Sequence, residues 1–122
     1  MASRRILVID DEPIVSYVCA RAMAAAGFVV DTACDAELAK SKVARNAYAL
    51  CLMDIKTPGI NGVKLYRYLQ KAIPGLAGRV VFTRGDTLSA NAAKFLSGTG
   101  RPCLTKPFTP TELRRAVSEA LN

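Results

Sequence analysis

The sequence predicts an α/β fold, a parallel five-stranded sheet with helices on both faces, and three observations carry that prediction. Apolar stretches of four to six residues alternate five times with longer segments of helical periodicity, the pattern of repeated strand–helix units. Two of those stretches are unbroken rather than alternating, as strands buried on both faces are. The chain has 122 residues, enough for one core and too few for two, so residues 1–122 are expected to form a single domain.

The first strand is expected over Arg5 to Asp10 (RILVID). Val15, Val18, Cys19, Ala22 and Ala26 then follow helical spacing, and Gly27 supplies the stop. A second strand is read over Phe28 to Thr32, a helix over Asp35 to Asn46, and the third strand over Ala49 to Met53 (ALCLM). The next helix, Gly62 to Ile73, is closed by Pro74-Gly75; a fourth strand at Val80 to Thr83 leads to a short helix at Leu88 to Leu96, with Ser97-Gly98-Thr99-Gly100 as its exit. Cys103 to Thr105 is the fifth strand. The last helix carries Leu113, Ala116, Val117, Ala120 and Leu121 behind Thr109-Pro110-Thr111-Glu112, a capping box with proline at the first helical position. Right-handed crossovers leave few topologies for five such units, and the flavodoxin-like (βα)5 three-layer sandwich of strand order 2-1-3-4-5 is the expected one. In such sheets ligands bind at the carboxyl ends of the strands.

Composition excludes several functions. No apolar run approaches the ~18 residues of a membrane span, and the start, Met1-Ala2-Ser3-Arg4-Arg5 and a short apolar run, is too short for a signal peptide; a cytoplasmic location without membrane attachment is expected. Cys19, Cys34, Cys51 and Cys103 form no C-x-x-C pair and read as reduced core residues. Histidine is absent, which removes Ser-His and Cys-His nucleophile pairs, histidine metal sites and any histidine phosphodonor. The net charge of +7 invites a nucleic-acid reading, but the 17 basic residues are scattered from Arg4 to Arg115 without an interleaved aromatic motif. No nucleic-acid partner is expected.

Chemistry gathers at the strand ends. The first strand ends in Asp10-Asp11-Glu12 and the third is followed by Asp54, so adjacent central strands would bring Asp10, Asp11 and Asp54 together. Two carboxylates 4 Å apart repel by roughly 4 kcal/mol at an effective dielectric of 20, so such a cluster takes up protons or holds a cation. A hard, oxygen-seeking ion such as Mg²⁺ suits it. Lys106, after the fifth strand, supplies one further positive charge.

From ILVIDDEP through MDIKTPGING to PCLTKPF, the chain resembles a response-regulator receiver domain of two-component signalling. The resemblance implies that Asp54 is the phosphoacceptor, that Asp10, Asp11 and Asp54 hold Mg²⁺ with the backbone carbonyl of Lys56, and that Lys106 contacts the phosphoryl group. It also implies a Lys106-Pro107 bond of the cis form, and a loop after the acceptor strand made by Pro58-Gly59 and Gly62. The stretch GDTLSANAAKFLSGTGRPCLTKPF is similar to receivers attached to sensor kinases. A sensor histidine kinase or histidine phosphotransfer protein is the implied donor. The implied docking surface for a downstream protein is the face of the fourth helix, fifth strand and fifth helix, where Lys94, Phe95, Arg101, Arg114 and Arg115 stand.

The family's conformational switch uses a Ser or Thr hydroxyl after the fourth strand and an aromatic residue on the fifth. By family spacing those positions are Arg84 and Cys103 here. Thr83 comes one place early, and alternation of strand side chains would send it to the sheet face away from the site unless the strand is rearranged by a bulge. Arg84 would fold over Asp54 and compete with Mg²⁺, grip the arriving phosphoryl oxygens, or turn into solvent. Three functions compete: a phosphoaccepting receiver that relays a signal by binding protein and turns over no substrate, beyond losing its own phosphoryl group; a pseudo-receiver whose acidic site Arg84 neutralises permanently; and an aspartyl-phosphate hydrolase. The last resembles a strand ending Asp-x-Asp, and Lys56 stands where the second aspartate belongs.

Overall fold

The computed structural model describes residues 4–57 and 60–122; Pro58 and Gly59, expected to shape the loop after the acceptor strand, lie outside the described residues. The elements run β1 (Arg5–Ile9), α1 (Pro13–Ala25), β2 (Val29–Ala33), α2 (Ala36–Arg45), β3 (Leu50–Asp54), β4 (Lys56–Thr57), β5 (Ile60–Asn61), α3 (Gly62–Ala72), α4 (Pro74–Ala77), β6 (Val80–Arg84), α5 (Ala90–Thr99), β7 (Cys103–Thr105) and α6 (Pro110–Leu121). The five main strands form one sheet of order β2-β1-β3-β6-β7 with every pairing parallel. This is the flavodoxin-like order 2-1-3-4-5 expected from the sequence.

The unbroken apolar strands are central. β3 is buried at all five positions and β1 at four of five. Their alternate side chains feed two cores. Leu7, Ile9, Cys51, Met53, Val80 and Phe82 pack against α2, α3, α4 and α5, and Ile6, Val8, Leu50, Leu52 and Val81 against α1 and α6. Each fully buried large aliphatic or aromatic side chain contributes roughly 1.5–3 kcal/mol, so the sheet's central strands are the most costly part of the structure to disturb.

Caps fix the helix starts. Asp35, Asn61 and Ser89 each accept a hydrogen bond from the amide three residues on, at 2.8, 3.1 and 3.1 Å. Thr109 and Glu112 complete the expected capping box at 3.0 and 2.9 Å. Gly27, at φ 95°, closes α1 in the left-handed region. Strand bounds differ from expectation by at most one residue, with Asp54 and Arg84 becoming the final residues of β3 and β6.

Two small elements were not expected. Lys56–Thr57 and Ile60–Asn61 pair antiparallel, and Pro74, read as a terminator, opens the one-turn α4 instead because proline suits the first helical position. At the start of α3, a Cβ on Gly62 would lie 2.7 Å from the Ile55 Cα and carbonyl oxygen. The chain therefore turns back tightly against the residue after Asp54.

Candidate metal centre

β1 and β3 pair in register, with Ile9 opposite Met53, so the residues that follow, Asp10 and Asp54, emerge side by side at the carboxyl edge of the sheet. Both are buried, at 4% and 5% exposure. Lys106, one residue beyond β7, reaches in from the far side. Its Nζ lies 2.8 Å from Asp10 Oδ2, 2.8 Å from Asp54 Oδ2 and 3.0 Å from Glu12 Oε1. An ammonium has three hydrogens to donate, and three carboxylates take them. The Lys106-Pro107 peptide is cis.

The cluster is held from below as well. The Glu12 amide donates to Asp10 Oδ1 at 2.9 Å, the Asp10 amide donates to the Ala33 carbonyl at 3.0 Å, and the Ile55 amide to the Thr83 carbonyl at 3.0 Å. Burial pushes the Asp10 carboxyl above the usual carboxylate range, against the pull of the Lys106 hydrogen bond and the Glu12 amide, and the Asp54 charge adds to the rise. For Lys106 burial works against the charged form, but hydrogen bonds to Asp10, Asp54 and Glu12 outweigh it and raise its pKa. The site is thus a buried pair of carboxylates whose repulsion one lysine offsets.

Carboxylate oxygens of Asp10, Glu12 and Asp54 all lie within 4.8 Å of one another. An all-oxygen, anionic donor set of this kind fits a hard divalent cation such as Mg²⁺. Asp11 is placed differently. It lines a hollow of about 380 Å³ with Asp10, Pro13, Ser16, Tyr17, Thr32 and Cys34 on the β2 side, at the bend between β1 and α1. Glu12, the third acid of the run, takes the third corner of the described cluster. Its sequence signal was its place at the start of α1, just ahead of Pro13. Lys56 follows Ile55 in β4, paired with Asn61, which leaves its backbone close in sequence to Asp54.

The register corrects one expectation. Thr83 is the direct partner of Asp54 across β3 and β6, with no bulge, and the alternation that puts Leu52 and Val81 in one core carries Asp54 and Thr83 onto that same face. Family spacing counted from Asp54 placed Thr83 on the wrong side because it ignores which residue pairs with which. Thr83 is 2% exposed, and its hydroxyl has no hydrogen-bond partner among the described residues. Arg84 falls on the opposite face, beside Cys103, and its Nε donates to the Gly85 carbonyl at 3.3 Å. Its guanidinium makes no ion pair with Asp10 or Asp54 among the described residues, so neutralisation of the acidic pair falls to Lys106.

Cys103 is half-buried opposite Phe82, and burial raises its thiol pKa. The rings behind it come from elsewhere: Tyr66, Phe82 and Phe95 pack with centroids 5.3, 5.7 and 6.0 Å apart. On the expected docking face Lys94, Arg114 and Arg115 are exposed. Arg101 is partly engaged, its Nε donating to the Val80 carbonyl at 3.0 Å.

A family model for the response regulator receiver domain matches residues 6–118. The chain belongs to that family. This receiver is 33% identical over 109 residues to the transcriptional regulatory protein TcrA of Mycobacterium tuberculosis, covering 89% of this chain and 42% of TcrA. It is 28% identical over 113 residues to the sensor histidine kinase RcsC of Salmonella typhi, covering 93% of this chain and 12% of RcsC. The chain therefore spans less than half of either relative. Among solved structures it is similar to a CheY-like receiver domain protein from Methanospirillum hungatei, with TM-score 0.87, 25% identity, and 99% and 94% of the two chains covered. NtrX from Brucella abortus, in complex with ADP, superposes at TM-score 0.85 with 28% identity, over 99% of this chain and 26% of NtrX. Receiver domains are signalling modules rather than turnover enzymes, and they interact with histidine kinases. Among the described residues no helix is long and apolar enough to cross a membrane.

Proposed function

We propose that this receiver accepts a phosphoryl group on Asp54, from a sensor histidine kinase or a histidine phosphotransfer protein in the cytoplasm, and passes the signal on by binding another protein. The observation that carries this reading is the Lys106 ammonium 2.8 Å from both buried aspartates. Asp54 is the nucleophile. One of its carboxylate oxygens attacks phosphorus as the bond to the donor nitrogen, or to acetate in a small-molecule donor, breaks and the leaving group takes the electron pair. Lys106 turns from carboxylate to phosphoryl oxygen and neutralises the incoming charge.

Asp10, Asp11, Asp54 and the Lys56 carbonyl would hold Mg²⁺. The ion supplies charge neutralisation at the phosphoryl oxygens. Thr83, beside Asp54 and with its hydroxyl unengaged among the described residues, supports a role as the hydroxyl partner of the phosphoryl group without any rearrangement of β6. On this register Thr83 takes the hydroxyl position of the switch that spacing gave to Arg84, and Cys103 stands at the aromatic one. The pairing of Arg84 with Gly85 rather than with the acids favours a working acceptor over a permanently neutralised interaction module.

Incubation with Mg²⁺ and acetyl phosphate followed by intact-mass measurement tests the proposal. A phosphoryl adduct that disappears in Asp54→Asn supports it; no adduct at any Mg²⁺ concentration removes it in favour of constitutive binding.

A further inference from the structure

Glu12 occupies the N-cap of α1, yet its carboxylate makes no capping hydrogen bond. The N-cap side chains that accept from the amides of the first turn are the short ones of Ser, Thr, Asp and Asn, and the longer Glu12 carboxylate reaches elsewhere. It accepts from Lys106, 94 residues away in the chain. The three acids holding Lys106 also differ in access: the side chains of Asp10 and Asp54 are 3% and 6% exposed, whereas that of Glu12 is 60% exposed. The Glu12 arm is therefore the open side of the cluster.

A cation bound to Asp10 and Asp54 occupies the oxygens that now hold Lys106 and repels its ammonium, so the lysine loses two acceptors at once. Left without a partner, a mostly buried ammonium would resist that displacement. We propose that Glu12 is a positioning residue that holds Lys106 aside when a divalent cation enters, keeping the charged amine at the rim until phosphoryl oxygens arrive. This inference rests on the Mg²⁺ reading above and adds to it a residue acting through the lysine rather than on the metal.

Calorimetric titration of Mg²⁺ alone into four proteins tests it: the parent, Glu12→Gln, Lys106→Met and the double variant. Glu12→Gln should weaken Mg²⁺ binding about fivefold to tenfold in the parent background, the size of an ordinary coupling between sites. In the Lys106→Met background the same change should alter affinity by less than about twofold, because the group it manages is gone. An equal loss in both backgrounds would make Glu12 a direct ligand and overturn the proposal, as would no loss in either. Absence of heat in the parent overturns the Mg²⁺ reading itself. Lys106→Gln repeats the cycle if the methionine variant fails to fold.

Discussion

Asp54 and Thr83 face one another across β3 and β6, on the same side of the sheet and both almost fully buried. A buried hydroxyl without a partner costs about 1–3 kcal/mol relative to an apolar group of the same shape. Thr83→Val should therefore stabilise the unphosphorylated receiver by about 1 kcal/mol in urea unfolding. The same variant should give a lower phosphoryl yield with acetyl phosphate. A stabilised protein with parental yield would show that the hydroxyl plays no part in the reaction.

Arg84 gives the opposite pattern. Its side chain turns to Gly85, away from the acids, so Arg84→Thr should bind Mg²⁺ within about twofold of the parent, since it removes no contact to the cluster. The effect should appear only after phosphorylation, as a changed adduct lifetime and a changed amide-exchange profile around α5. Identical behaviour in both states would make Arg84 a bystander.

Gly62 is a packing constraint on the site. A methyl group there meets the Ile55 backbone at 2.7 Å, and backbone cannot swing aside as a side-chain tip can. Gly62→Ala should cost about 1–3 kcal/mol by overpacking and should also weaken Mg²⁺ binding, because Ile55 adjoins Asp54. Parental stability with parental Mg²⁺ affinity would contradict the tight turn.

A pH dependence follows from the other end of the sheet. Burial pushes the Asp31 carboxyl up, but the Tyr48 hydroxyl at 2.6 Å and the Arg5 guanidinium at 3.0 Å outweigh it and hold it below the usual range. A carboxyl lowered by folding stabilises the protein above its unfolded value, and that stability is lost as pH falls through the folded one. The loss should begin near the ordinary value of 3.8 and continue below it. Asp31→Asn should be less stable than the parent at neutral pH and converge with it in acid. Parallel unfolding midpoints across that window would rule the network out as a source of acid sensitivity.

Most of the architecture was legible because β1 and β3 announce burial on both faces through unbroken apolar runs, and because the Thr109–Glu112 capping box marks a helix start by its chemistry; the helix read over Leu88 to Leu96 instead starts behind Ser89 and runs on to Thr99. The hairpin of Lys56–Thr57 with Ile60–Asn61 was not, since two-residue strands carry no periodicity. The meeting of Asp10, Asp54 and Lys106 followed from strand ends alone. The positions of Glu12 and Thr83 did not: one depends on which way a helix-start carboxylate turns, the other on inter-strand register, and neither is a property of spacing along the chain.

The way Lys106 is held also bears on its reactivity toward electrophiles. An amine that keeps its proton, with each N–H directed at a carboxylate, presents no lone pair to an acylating reagent. Lys64, Lys71 and Lys94, open to solvent on α3 and α5, would carry such labels first, leaving the Lys106 amine chemically silent until its neighbours are changed.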